Sequence, residues 1–382
     1  MYSKLNNQSN NQLSNQLNQK LNHQLQQNLR DMIQKNYKAT EETFILLLFD
    51  DKSSLSRVIS DGYKQVISAY NHQILDFNQC TEEQIFDCFA KLPTKSLVIL
   101  VQSGSFRTTK ARLRADLFRI GHMVIEHARL SQTADDQIEN YINSLHYDTP
   151  YYIEASNKIE QLLNKNNKLT IFSSNNGNNN NNNNNNIHNN NYNNNNNSNN
   201  NLKNILTVDS AFEKAIKNTG DFTNQAIAAG GFPIGEIFSE AKELDKINGS
   251  ITVFGFPAKD HTTQWCESFI VTIKDGFVVD HNGPKEFQEI LAMIRAEEFD
   301  KVQVREIGFG LNRALGFDKR INEPTAFERF AGMHFSLGLK HAMYRKKYSK
   351  KIFQKYHVDI FCKVDKVLIG DTTIFENDSW VC

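Results

Sequence analysis

The stretch Tyr356-His357-Val358-Asp359-Ile360-Phe361 sets a His and an Asp two positions apart inside apolar sequence. On a β-strand, residues two apart point to the same face. Val358, Ile360 and Phe361 make this a buried or half-buried strand, where an unpaired carboxylate is costly. A metal ion would satisfy the imidazole and the carboxylate together, and so would a plain His–Asp hydrogen bond in a core strand.

Around this stretch the second half of the chain reads as short strands separated by Gly and Asn. They are Ile251–Phe256, Glu267–Lys274, Phe277–Asp280, Val302–Ile307, His334–Leu337, His357–Cys362, Val367–Ile369 and Thr372–Phe375. Gly370-Asp371 is a two-residue turn joining the last pair as a hairpin. Helices about Pro284–Ala296 and Thr325–Phe330 interrupt them. The expectation is an α+β, mostly antiparallel domain over 204–382.

Upstream the texture differs. Apolar runs at Thr43–Phe49, Gln73–Phe77, Ser96–Gln102 and His122–His127 alternate with helical stretches at Ser53–Ala69, Thr81–Lys91 and Phe106–Gly121. Such alternation predicts an α/β domain over 39–172, with a parallel sheet covered by helices on both faces. No GxGxxG or GxxxxGK[ST] fingerprint occurs. Helices at about 132–146 and 149–166 lead to a strand at Lys168–Phe172, and Ile205–Val208 resumes strand character. The Asn-rich tract between them, within 173–203, reads as an insertion at a hairpin tip, where added length costs little closure entropy. His188 inside it is a poor metal ligand.

Residues 1–38 are Asn/Gln-rich and read as a leader unable to bury enough apolar surface to fold. Leu13, Leu17, Leu21, Leu25 and Leu29 nevertheless recur every four residues, a spacing that lines one side of a helix. Without the two Asn-rich segments, roughly 310 residues remain, a size that suggests two domains. The 43 basic and 43 acidic residues cancel, which removes the electrostatic case for binding nucleic acid or anionic lipid. Five cysteines without a CxxC pair read as reduced thiols. No apolar run is long enough to span a membrane and no signal peptide is evident, so the cytoplasm is the expected location.

Further polar residues sit where strands meet Gly turns. Glu236 follows Gly230-Gly231-Phe232-Pro233-Ile234-Gly235, a constrained approach that can hold a carboxylate in place, and Glu240 lies four residues on. Glu306 closes the alternation Val302-x-Val304-x-Glu306, before Gly308 and Gly310. His334 opens a short strand that ends at Gly338. With His357 and Asp359 they form a set suited to a pair of divalent ions.

Residues 230–380 resemble the C-terminal half of the aminopeptidase T/S family of metallo-aminopeptidases, peptidase family M29. The matching pieces are Gly235-Glu236-Ile237-Phe238, Arg305-Glu306-Ile307-Gly308-Phe309-Gly310-Leu311-Asn312, Gly332-Met333-His334-Phe335-Ser336-Leu337-Gly338 and His357-Val358-Asp359. The resemblance implies that Glu236, Glu306, His334, His357 and Asp359 hold two divalent metal ions (Zn, Co, Mn or Mg). It also implies a homodimer and a peptide or other small-molecule substrate. The ions would acidify a bridging water, polarise the scissile carbonyl and receive the substrate α-amine. Glu306 or Glu236, and less readily Glu240, would accept the water proton.

One position departs from the family pattern. Those peptidases place a Tyr seven residues after the third-motif His, where this chain has His341, with Tyr344 three further on. His341, Lys340 or Tyr344 would then stabilise the developing oxyanion. Alternatively, the basic stretch Lys340–Lys347 recognises an anionic substrate group or is a solvated turn. The fold also resembles 2,5-dihydroxypyridine dioxygenases, which hold one Fe(II) and carry His at the position of Glu306. A mononuclear iron site from His334, His357 and Asp359 is the alternative chemistry, and a non-catalytic binding protein is a third reading.

Overall fold

The computed structural model describes residues 19–106, 113–174, 204–223, 229–297, 300–341, 344 and 355–381. The apolar runs of the first half form β1 (Ile45–Phe49), β2 (His72–Asp76), β3 (Leu97–Val101) and β4 (Met123–His127). With β8 (Ala229–Gly231) they make a five-stranded, all-parallel sheet in the order β2-β1-β3-β4-β8.

Alternate side chains of these strands enter two separate apolar layers. Leu46, Leu48, Val98, Leu100 and Val124 pack on one face against α3 (Glu82–Lys91) and α4 (Leu113–Arg119). Ile45, Leu47, Leu97, Ile99 and Ile125 face the other way, with α1 (19–31), α2 (Ser54–Val66) and α6 (Thr149–Lys165). Burial on both faces is why these strands read as unbroken apolar runs. The helix expected over Phe106–Gly121 is present as α4; residues 107–112 lie outside the described residues.

The remaining strands form one thirteen-stranded sheet. Its members are β5 (Leu169–Ser173), β6 (Asn204–Val208), β7 (Ile216–Asn218), β9 (Glu236–Glu240), β10 (Ile247–Pro257), β11 (Thr263–Lys274), β12 (Phe277–His281), β13 (Val304–Gly310), β14 (Gly332–Gly338), β15 (His357–Cys362), β16 (Lys366–Ile369), β17 (Thr372–Glu376) and β18 (Ser379–Trp380). Adjacent strands are antiparallel, and the stretch that carries the site runs β15-β14-β13-β9. Two short helices connect into it: α5 (Ile138–Ser144) precedes α6, and α8 (Pro324–Phe327) precedes β14. A longer one, α7 (Lys285–Glu297), follows β12.

β5 and β6 pair as a hairpin with Ser173 opposite Asn204, so the Asn-rich tract does join hairpin partners; residues 175–203 themselves lie outside the described residues. The two sheets exchange strands: β5, from the first half, belongs to the antiparallel sheet, and β8, from the second, completes the parallel one. A single apolar cluster runs through both, from Leu25 and Ile45 to Val253, Phe309 and Phe361.

The reading of residues 1–38 as an unfoldable leader is overturned for 19–38. α1 buries Leu25 and Leu29, and the next turn buries Met32 and Ile33. Gly62 in α2 makes room for them, since a Cβ there would meet Leu29 Cδ1 at 2.9 Å and Leu25 Cδ2 at 3.0 Å. The asparagines that gave the segment its polar look are structural. Asn28 Nδ2 donates to the Ile142 carbonyl (2.8 Å), and Asn36 Nδ2 donates to Thr149 Oγ1 (2.8 Å) and the Gly220 carbonyl (2.7 Å). The four-residue leucine spacing therefore marks a core helix for Leu21, Leu25 and Leu29; Leu13 and Leu17 lie outside the described residues.

Truncating Leu29 alone to Ala is expected to cost about 2–5 kcal/mol in denaturant unfolding. Removing residues 1–38 should leave a chain that does not fold, as judged by loss of cooperative unfolding.

A candidate metal centre

The four strands β9, β13, β14 and β15 bring together the five residues singled out in the sequence. Glu236 opens β9 directly after Gly235, whose φ of +108° lies where L side chains are strained. The Gly235 N–H donates to the Asn218 carbonyl (2.9 Å) and its own carbonyl accepts from the Leu311 N–H (2.8 Å), so the approach to Glu236 is held from both sides.

In β13 the pairing with β14 shifts between Val304 and Ile307, a β-bulge. The simple alternation that aligned Glu306 with Val302 and Val304 is broken there. The Glu306 N–H donates to Ser336 Oγ (2.9 Å) instead of continuing a regular ladder. Gly308 faces His334 across the same pair of strands, and a Cβ at Gly308 would lie 2.0 Å from His334 Cε1 and 2.1 Å from Nε2. Only glycine lets that ring lie against the strand.

On β15, His357 Nδ1 sits 3.1 Å from the Leu339 carbonyl, which requires the proton on Nδ1 and turns Nε2 inward, 3.1 Å from Asp359 Oδ1. The expected placement of His357 and Asp359 on one strand face is observed.

These side chains form two triads with ligand atoms all within 4.8 Å of one another: Glu236, Glu306 and His334, and Glu306, His357 and Asp359. Glu306 belongs to both. A third triad contains Glu328 with His334 and Asp359. Sequence analysis missed Glu328 and its neighbour Arg329, reading Thr325–Phe330 as a connecting helix. The helix is only Pro324–Phe327, and the two charged residues follow it into the site. The available signal was a charged pair wedged between Phe327 and Phe330, both buried.

Arg329 Nη1 lies 2.7 Å from Glu236 Oε2 and also contacts Glu328 Oε1. Burial would raise Glu236, but Arg329 and His334 outweigh it and hold the carboxyl below its ordinary range. Burial pushes Glu328 well above that range and raises Glu306 too. Asp359 is held down to about 2 against its burial by His357. Burial would lower both imidazoles, yet the carboxylates dominate. Asp359 lifts His357 to about 10, and contacts with Glu236 (3.3 Å) and Glu306 (3.6 Å) lift His334.

The residues fit divalent ions by one structural criterion. Glu306 Oε2 and His334 Nδ1 are buried without a hydrogen-bond partner, while His334 Nε2 and Asp359 Oδ1 meet only the other candidate ligands. Polar atoms in that state carry a desolvation penalty that a shared cation removes.

The other expected residues divide. His341 lines the cleft, its ring 4.8 Å from Phe238 and 6.2 Å from His357 between centroids. The Tyr344 hydroxyl donates to the Lys214 carbonyl (2.9 Å). Glu240 is ion-paired with Lys340 (2.7 Å) and stands opposite Glu306 in the β9–β13 pairing, outside the triads. Within the basic stretch that begins at Lys340, residues 342, 343 and 345–347 lie outside the described residues. The cleft above the site has a volume of about 390 Å³, and its far wall comes from loops at the C-terminal ends of the parallel strands. Binding at that end is usual for open parallel sheets.

Two outcomes follow from this geometry. Gly308→Ala should displace His334 and weaken divalent-metal binding roughly tenfold or more, with the circular dichroism spectrum retained. Ligation needs neutral imidazoles, whereas the cation-free site raises both above neutrality. Metal uptake near neutral pH should therefore release protons, and apparent affinity should climb as pH rises towards 10. Calorimetry in buffers of different ionisation enthalpy measures the release directly.

No family model and no curated protein matches the sequence. Among solved structures, 2,5-dihydroxypyridine dioxygenase from Pseudomonas putida KT2440 matches with a TM-score of 0.58 at 12% identity, over 94% of this chain and 98% of that one. AmpT from Thermus thermophilus, an M29 aminopeptidase, matches with a TM-score of 0.55 at 12% identity, over 94% of this chain and 99% of that one. In agreement with the resemblance read from the sequence, the chain has the fold that an aminopeptidase and an aromatic-ring dioxygenase share.

Proposed function

We propose that this protein is a metal-dependent hydrolase, an aminopeptidase that binds two divalent ions and acts on the N-terminus of small peptides. The observation that carries the proposal is the position of Glu306 in two ligand triads at once, as a carboxylate bridging two cations would be. Glu236, Glu306 and His334 would hold one ion, and Glu306, His357 and Asp359 the other. Bound there, divalent ions supply Lewis acidity that acidifies water and polarises a carbonyl.

The protein's own residues divide the remaining work. Glu236 is ion-paired with Arg329, and Glu306 is shared by both triads. Glu328, which also contacts Arg329, neighbours His334 and Asp359 and is a third carboxylate able to accept the water proton. Glu328 thus joins Glu306 and Glu236 as a candidate base. His341, on the cleft wall beside His357, is suited to contact an oxyanion. The Tyr344 hydroxyl donates to the Lys214 carbonyl, which makes His341 the better placed of the two.

The dioxygenase alternative draws support from the shared fold. It needs His334, His357 and Asp359 around one iron, whereas among the described residues the two imidazoles fall in different triads.

Elemental analysis after metal titration should find two divalent ions per chain, and aminoacyl-amides should be hydrolysed. Glu328→Gln should retain metal and lose roughly 10²–10⁴-fold in kcat. One iron per chain with dioxygen uptake on an aromatic substrate would contradict the proposal.

A further inference from the structure

The cleft wall opposite the triads carries two arginines that the proposed chemistry does not use. Arg114, on α4, lies over Gly231, where a Cβ would come within 2.9 Å of its Nη1. The same Nη1 is 2.8 Å from Glu126 Oε2. Arg129 Nε is 2.9 Å from Glu323 Oε1, and its Nη2 donates to Thr325 Oγ1 (2.8 Å). Each guanidinium is thus pinned by a carboxylate that is itself buried, while 31% of each arginine side chain stays exposed. Both line the same cleft as Glu236, Glu306 and Asp359.

Arg129 has a further peculiarity. Its backbone lies in the left-handed region (φ 56°, ψ 34°), which a non-glycine residue adopts only when its surroundings enforce it. The enforcing bonds run from the Arg129 N–H to the Gly104 carbonyl (2.6 Å) and from the Leu130 N–H to the Gln102 carbonyl (3.0 Å).

The anchoring carboxylates are saturated. Glu126 Oε1 accepts from Gln102 Nε2 (3.2 Å), and Glu323 Oε2 accepts from the Ala326 N–H (2.6 Å). They orient the arginines and are not disposed to bind a cation themselves. A guanidinium has five N–H donors in a rigid fork, matched to a planar carboxylate, and one already immobilised loses little entropy on binding.

We propose that Arg114 and Arg129 form a carboxylate-binding wall that selects acidic substrates, received opposite the metal triads. The inference rests on the aminopeptidase reading. The carboxylate belongs either to an acidic N-terminal side chain or to the C-terminus of a very short peptide.

Hydroxamates separate these sources, because every member carries the same metal-binding group. One pair is glutamate α-hydroxamate against glutamine α-hydroxamate. The other is succinic acid monohydroxamate against its monoamide. With the metal-loaded full chain, calorimetry should find the acid tenfold or more tighter than the amide in at least one pair. Arg114→Gln and Arg129→Gln should each reduce that ratio. Since a single change strands a buried carboxylate, Arg114→Gln/Glu126→Gln and Arg129→Gln/Glu323→Gln are measured alongside them. Equal binding within both pairs, or a ratio that survives in both double variants, would overturn the wall while leaving the metal centre intact. Failure of every hydroxamate to bind would instead remove the metal centre, and this inference with it.

Discussion

Glu236, Glu306, Glu328 and Asp359 are crowded into one cleft with few compensating charges, and most of what is unusual around them follows from that crowding. Burying one carboxylate without a partner is costly, and several within a few ångströms of each other repel as well. Among the described residues, Arg329 is a permanent cation ion-paired with this group, and it is spent on Glu236 and Glu328. The two imidazoles supply the rest only by taking up protons, which is why their basicity is raised. Divalent ions replace those protons with more charge at shorter range, and Glu306 lies where two of them would share it.

The architecture serves this arrangement through backbone features more than through bulk. A glycine opposite His334, a bulge before Glu306 and a left-handed glycine before Glu236 each set one ligand, all within adjacent strands. The parallel sheet supplies the opposite wall, and the apolar cluster common to both sheets holds the two walls in register. β8 leads from the parallel sheet through the cis Phe232–Pro233 bond to β9, so one short segment links the two sheets at the site.

Much of this was legible in the sequence, for identifiable reasons. Strands β1 and β3 are apolar at every position because both their faces are covered, and the His357–Asp359 spacing reports a strand face directly. What escaped is long-range or context-dependent. Asn28 and Asn36 look like low-complexity filler until their tertiary carbonyl partners are known, so a core helix was read as a leader. Glu328 and Arg329 obey no periodicity, since they follow a one-turn helix and reach the site by chain direction alone. The bulge in β13 left no mark that alternation counting could detect. Tyr344, three positions beyond His341, donates its hydroxyl to the Lys214 carbonyl, a tertiary contact that sequence spacing does not reveal.

The most direct test is anomalous diffraction from crystals grown with excess Mn²⁺ or Zn²⁺. Two peaks flanking the Glu306 carboxylate, one beside His334 and the other beside His357, are the expected result. A single peak between the two histidines, or no peak in the cleft at saturating metal, would contradict the two-ion centre.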